Sequence, residues 1–341
     1  MSAGARPSRG LRILLALLAA VGLAGVAVAG ALFHLTSPVD PSAPSRTFVV
    51  VPGSTLGQVA RALEDEGVVR SHRVITTLGR YRDLDRHLRA GEYELSPAMS
   101  PFEILALFAE GRVKTYELVL PEGITAAEIA RRLAAQGLAD PAQFLAFVRE
   151  PGSAETLGVQ GPGLEGYLFP ETYRLPRGLP PEEIARTLVA QFQRVWDGLA
   201  SEAQARGLAQ RDVVTIASIV EKETALPSER PLVASVYWNR LARHMRLEAD
   251  PTVIYGIPDF DGNLRRADLE DERNPYNTYR IEGLPPGPIA NPGAASLRAA
   301  VEPEQTDYLF FVSRNDGSHV FTRRYQDHVR EVNRLQKGRS R

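Results

Sequence analysis

The sequence predicts an α+β protein with an apolar N-terminal helix, a small α/β domain and a larger mixed α+β domain. Three observations carry this reading. A short apolar run of strand type, a Gly/Thr turn and an amphipathic helix occur in that order twice in the first 140 residues. The second half is dominated by segments with helical apolar spacing, and near its end two β-rich runs flank an Asn-Asp-Gly turn. At 341 residues and 44% hydrophobic, the chain can fill two modest cores or one large one. A formal net charge of −1 argues against a nucleic-acid binder, which carries a basic surplus. The absence of cysteine excludes structural disulfides, thiolate nucleophiles and cysteine-ligated zinc, and suits an oxidising compartment.

The first element is the N-terminal helix. Ile13 to Phe33 is uncharged over 21 residues, which at about 1.5 Å per residue is enough to cross a hydrocarbon core. Arg6, Arg9 and Arg12 precede it, and no Lys or Arg follows until Arg46. That asymmetry puts the N-terminus in the cytoplasm and the rest outside. Ala27-Val28-Ala29 mimics a signal-peptidase site, but the apolar run is longer than a signal core of about 7–15 residues, so an anchor is the stronger reading. Both alternatives export the remainder. Ser37 to Ser45, with three prolines and three serines, reads as an extended spacer.

Folded sequence begins at Thr47-Phe48-Val49-Val50-Val51, a strand-type run. Gly53-Ser54-Thr55 then opens a helix with Leu56, Val59, Ala60 and Leu63 on one face, ending at Gly67. Gly53, Thr55, Val59-Ala60, Leu63 and Gly67 recur 70 positions later as Gly123, Thr125, Ile129-Ala130, Leu133 and Gly137. Each copy follows a strand-like stretch, Phe48–Val51 or Tyr116–Leu120. Two readings stand: a duplicated small module, or unrelated units sharing turn chemistry. Between the copies, Ala90 to Leu95 and a helix over Phe102 to Phe108 complete a compact region. Its strand–helix–helix–strand order resembles the LysM-like module of some wall enzymes.

In the second half, helices are expected over 126–135, 141–148, 181–195, 210–224 and 231–245, the last burying Leu232, Val233, Val236, Tyr237 and Leu241. Tyr308 to Val312 and His319 to Phe321 flank Asn315-Asp316-Gly317, a hairpin signal. A helix over 325–335 closes the fold, and 338–341 is a basic tail.

The chemistry centres on Asp212 to Thr224. As a helix, this segment gathers Val213, Val214, Ile216, Ala217, Ile219 and Val220 on an apolar face, turns Lys222 away, and leaves Glu221 and Glu223 on the two borders. A border carboxyl has its base against apolar side chains and its tip toward a cleft. Partial desolvation there disfavours the charged form, as a general acid near neutral pH requires. Solvated helix-end charges are the plainer alternative, and geometry alone does not choose between Glu221 and Glu223. Ser218 and Lys222, four apart, do not make a nucleophilic dyad because Lys222 faces away. Six scattered histidines give no metal-ligand spacing, and no glycine-rich phosphate loop is present, so no metal or cofactor is expected. Asp250-Pro251-Thr252 and the loop holding Asn274, Tyr276, Asn277 and Tyr279 offer polar and aromatic groups suited to sugars, with turn chemistry as the alternative.

Several motifs occur in one order: Leu164-Glu165-Gly166-Tyr167-Leu168-Phe169-Pro170-Glu171-Thr172-Tyr173, then 217–225 (ASIVEKETA), 233–241 (VASVYWNRL), 245–256 (MRLEADPTVIYG), 275–279 (PYNTY) and 284–293 (LPPGPIANPG). Together they resemble the YceG-like family of endolytic murein transglycosylases over most of residues 47–335. The resemblance implies cleavage of the MurNAc–GlcNAc β-1,4 bond of nascent peptidoglycan to 1,6-anhydro ends by one carboxylate, and it places that carboxylate at Glu221. Glu165, Glu223, Asp250, Tyr276, Asn277 and Tyr279 are the candidate substrate contacts. It further implies glycan strands as substrate, no cofactor, partners among peptidoglycan synthases, and a single-pass protein of the inner membrane with its C-terminal domains periplasmic. The expected layout is a cytoplasmic tail over 1–12, an anchor over 13–35, a linker over 36–46, a LysM-like domain over 47–115 and a catalytic domain over 116–337. A water-using muramidase and a non-enzymatic wall-binding scaffold are the rival functions.

Overall fold

The computed structural model describes residues 9–86 and 88–337. Residues 1–8 of the expected cytoplasmic tail and the basic tail over 338–341 lie outside the described residues. The chain opens with α1 (Arg9–Thr36), whose segment Leu15–Thr36 is long and apolar enough to cross a membrane, with a mean hydropathy of 2.4. Leu17, Leu18, Val21, Leu23 and Val26 are all exposed. Such a surface is unfavourable in water and favourable in lipid.

The described residues pack as two compact units, one formed by those up to 115 with 176–178, the other by 116–175 with those from 179 onward. In the first, β1 (Arg46–Val50), α2 (Leu56–Asp65), α3 (His72–Tyr81) and β2 (Gly91–Leu95) precede α4 (Pro101–Glu110). β1 and β2 pair antiparallel with Phe48 opposite Tyr93. The alternation of the strand sends Phe48, Val50, Tyr93 and Leu95 to one side, where they meet Leu56, Leu63, Ile75, Ile104 and Phe108. Tyr93 and Phe108 pack edge to face at 4.8 Å. The proline-rich segment after α1 is not a free spacer: Val39 and Asp40 donate to the Pro97 carbonyl, Arg70 donates to the carbonyls of Pro38 and Val39, and Ser96 donates to that of Ala43. Proline composition indicated extension, but these acceptors are carbonyls that prolines and their neighbours retain.

The second unit opens with the same local order: β3 (Tyr116–Val119), α5 (Ala126–Ala135), α6 (Pro141–Arg149), the single turn α7 (Ser153–Thr156) and β4 (Thr172–Leu175), with β3 and β4 antiparallel. The residues shared with the first unit have the same jobs in both. Thr55 and Thr125 are N-caps, each closing a capping box with Gln58 or Glu128. Gly53 and Gly123 take φ +80 and +73 at the turn before them, a conformation that favours glycine.

The chain continues through α8 (Pro181–Asp197), α9 (Ala200–Ala205), α10 (Gln210–Glu223), α11 (Arg230–Ala242), α12 (Asp250–Tyr255), α13 (Arg266–Glu270) and α14 (Ala294–Val301). It ends in the hairpin β5 (Phe310–Ser313) and β6 (His319–Thr322), followed by α15 (Tyr325–Val332). Helix α10 is buried on every side from Val213 to Val220, not on half its circumference. Thr215 and Ser218 are tolerated inside because their hydroxyls donate to the carbonyls of Arg211 and Thr215. The extra side is covered by α14, rich in small residues, and by the 284–293 loop: Ile289 donates its N–H to Ser218 Oγ at 3.0 Å. α14 carries only eight residues, too few to announce a helix by periodicity. Among the described residues of this unit, β-structure amounts to two two-stranded ribbons and an isolated bridge between Ile124 and Asn291, a small part of a domain that is mostly helical.

Candidate active site

The two border glutamates of α10 leave the helix in different directions and meet different company. Glu221 turns toward the start of α14. Its Oε2 accepts the N–H of Gly293 at 2.9 Å, and its Oε1 accepts from Arg230 at 3.2 Å. Arg230 also lies 3.6 Å from Glu122. With 6% of its side chain exposed, Glu221 is held on both oxygens.

Glu223 is half-buried at the last turn of α10. Tyr237 of α11, itself buried, donates its hydroxyl to Glu223 Oε1 at 2.8 Å. Among the described residues, Oε2 makes no hydrogen bond. Burial pushes the Glu223 carboxyl up to about 7, the Tyr237 bond pulls it back, and the charge of Asp250 adds to the rise. Asp250, exposed at the first turn of α12, accepts from Tyr279 at 2.7 Å. Glu223, Asp250 and Tyr279 thus form one group, open to solvent at Asp250.

Glu165, the other predicted acidic residue, lies in a separate pocket of about 140 Å³ lined by Arg149, Tyr255, Tyr276, Gly287 and Pro288. Its carboxyl accepts the N–H of Ala126, the side-chain amide of Asn291 and the Tyr255 hydroxyl. Burial pushes it up to about 7 against the pull of those donors. Tyr276 stands edge-on to Tyr255 at 4.8 Å, so it belongs with Glu165 and not with Tyr279.

Asn277 does not face a cleft. It is 0% exposed, its amide donates to the carbonyls of Asp268, Leu269 and Asp271, and its oxygen accepts from Tyr279 N–H. Asn274 works the same way on Val253 and Tyr276. Both shape the loop, and no side-chain atom of Asn277 is left to touch a ligand. Ser218 is fully buried and Lys222 donates to the Gly123 carbonyl, so they do not meet.

Sequence reasoning missed Arg230, Tyr237 as a polar partner, Tyr255 and Asn291. Tyr237 sits in an apolar helical stripe, which concealed the destination of its hydroxyl. Asn291 binds Gly166 and Leu168, 125 and 123 positions away, so no local pattern could announce it. Only its place in the 284–293 motif marked it.

Comparison with known proteins agrees over nearly the whole folded chain. The model of the YceG-like family matches residues 48–334. A Bacillus subtilis (strain 168) protein named endolytic murein transglycosylase is 30% identical over 313 residues, covering 86% of each chain. A Streptococcus pneumoniae (serotype 2, strain D39) protein of the same name is 29% identical over 327 residues, 86% of this chain and 59% of its own length. The crystal structure of a yceG-like protein from Listeria monocytogenes superposes with a TM-score of 0.58 at 32% identity, covering 85% of this chain and all of that one. With the family model and the fold in agreement, the chain belongs to the YceG-like family.

Proposed function

We propose that this chain is an endolytic lytic transglycosylase, anchored in the inner membrane by α1, that cuts the MurNAc–GlcNAc β-1,4 bond of nascent peptidoglycan. The substrate class rests on the two bacterial relatives named for this activity. The orientation rests on Arg6, Arg9 and Arg12 before the span, and it places both folded units on the periplasmic face. The β1–α2–α3–β2 order of the first unit supports a LysM-like reading of residues 47–115, with 116–337 as the catalytic domain. Action near the membrane fits partners among the peptidoglycan synthases and a role in ending strand growth.

One observation carries the mechanism: α10 bears one carboxyl already held on both oxygens and one desolvated carboxyl with an oxygen to offer. The family resemblance puts the catalytic role at Glu221, but the geometry favours Glu223. A group that must first give a proton and then take one back needs a carboxyl balanced near neutral pH and reachable by substrate. Glu223, near 7, has that balance. Glu221 instead fastens α10 to Arg230 and to Gly293. Protonated Glu223 would give its proton to the glycosidic oxygen as the C1–O bond breaks. The resulting carboxylate would take the C6-hydroxyl proton of the muramic acid as that oxygen bonds to C1, closing the 1,6-anhydro ring. The nucleophile belongs to the substrate, so its proximity replaces a second catalytic carboxylate. Asp250 and Tyr279 would line the sugar-binding side.

The test is strand cleavage by Glu223→Gln and Glu221→Gln, with products analysed by mass spectrometry. Glu223→Gln is expected to lose about 10²- to 10⁴-fold in rate, while Glu221→Gln keeps cleaving with reduced stability. The reverse pattern returns the role to Glu221. A second reading, a muramidase that activates water, has one observation in its favour: Asp250 is a second carboxylate beside Glu223. Reducing ends in place of anhydro ends would establish it. A wild-type protein that binds strands and cuts none would leave a scaffold.

A further inference from the structure

Glu165 lies outside the group around Glu223, yet its contacts lead to both flanks of α10. One of its oxygens accepts from Ala126 N–H at 3.0 Å, at the first residue of α5, and from Asn291 Nδ2 at 2.9 Å. The other accepts from Ala126 N–H at 3.1 Å and from Tyr255 hydroxyl at 3.2 Å. Asn291 is locked in turn, its Oδ1 accepting from Gly166 and Leu168 at 2.9 Å each and its backbone N–H bonded to Ile124. Two residues further on, Gly293 holds Glu221. In the other direction Tyr255 is the last residue of α12, and Asp250 is the first. Asp250 binds Tyr279 and acts on Glu223 through its charge.

We propose that Glu165 is a positioning residue whose ionised carboxylate ties α5, the 289–293 loop and α12 together, and thereby sets the geometry on both sides of the catalytic helix. An ionised carboxylate can accept every one of these donors. A protonated one becomes a donor at one oxygen, so a group that donates to that oxygen must turn or leave. Tyr255 is the partner free to leave, because the Ala126 N–H is fixed in a helix and the Asn291 amide in a network. Release frees the end of α12 and relaxes Asp250 and Tyr279. The groups facing Glu165 are Tyr255, Tyr276 and Arg149, with the α5 N-terminus. The pocket beside it lets protons in. Burial sets its titration at about 7, so the tie loosens as pH falls through neutrality. Glu223 imposes the opposite limb, since its acid form is lost as pH rises.

This rests on the assignment of Glu223 above, and the experiment separates the two. In the wild type, kcat against pH should be bell-shaped. Glu165→Gln should remove the acid limb, lower kcat about tenfold at the optimum as expected for displaced groups, and leave KM within about twofold. Tyr255→Phe keeps the ring packing and removes one donor that lowers the Glu165 titration, so it should move the acid limb to higher pH. A surviving acid limb in Glu165→Gln, an unmoved limb in Tyr255→Phe, or a rise in KM at constant kcat overturns the proposal. Amide hydrogen exchange of full-length protein in detergent supplies a readout free of catalysis. Protection of 249–256 and 289–293 should fall below about pH 7 in the wild type and show no such step in Glu165→Gln. Absence of that step in the wild type overturns the positioning role even if cleavage follows Glu223, and its presence upholds the role even if cleavage does not.

Discussion

Stability against pH offers a direct measure of the desolvated carboxyl at 223. The folded group titrates at about 7 against an ordinary 4.5, so the native state holds a proton that the unfolded chain has released throughout that window. Stability therefore falls as pH rises from about 4.5 to about 7 and levels off above. At 1.36 kcal/mol per pH unit the ionised form costs about 3 kcal/mol, reduced to about 2–3 kcal/mol by the partial exposure of the group. Glu165 adds a decline of the same sign and window. His328, whose titration burial lowers, acts in the opposite sense but equally in wild type and variant. Glu223→Gln keeps an oxygen to accept the Tyr237 hydroxyl and removes the ionisation. In urea denaturation of the full-length protein in detergent at pH 5, 6, 7 and 8, the variant should lose about 2–3 kcal/mol less than wild type between pH 5 and 8. Two curves of the same shape would refute the desolvation argument and with it the reason for preferring Glu223 as the acid.

Two substitutions probe the scaffold. Gly166 has φ +91, and a methyl there would sit 2.5 Å from Pro288 and 2.9 Å from Val214; Gly166→Ala should cost about 3 kcal/mol or more from backbone strain and overpacking, read as a lowered urea midpoint, and a variant of wild-type stability would contradict the packing described. Asn277→Ala removes a donor shared by the part-buried carbonyls of Asp268, Leu269 and Asp271 and should destabilise by about 1–2 kcal/mol, with glycan affinity in the remaining folded protein unchanged. Lost affinity at full stability would restore a direct contact role to Asn277.

Much of the secondary structure was legible because its signals are local. The helix over 126–135 has the boundaries its apolar spacing gives, with Thr125 at the cap. The Asn-Asp-Gly hairpin forms with Asn315 and Gly317 at positive φ. Short elements escaped: α12, α13 and α14 carry six, five and eight residues, less than the two or three turns that periodicity needs. The candidate site was legible as a set of motifs but not as a grouping. Tyr276 and Tyr279, three apart, meet different partners, Tyr255 and Asp250, because the buried amides of Asn274 and Asn277 fold the loop between them.

By itself the sequence determined the apolar span, the repeated strand–helix units and the helix that carries two glutamates on its borders. Each depends on the spacing of neighbouring residues. Only the tertiary structure decided what surrounds each glutamate. Burial and hydrogen bonding are set by residues far along the chain: Gly293 and Arg230 close around Glu221, while Tyr237 and Asp250 leave Glu223 desolvated and reachable. A carboxyl's proton affinity is a property of the surroundings that folding assembles, and two glutamates one residue apart can therefore acquire different chemistry.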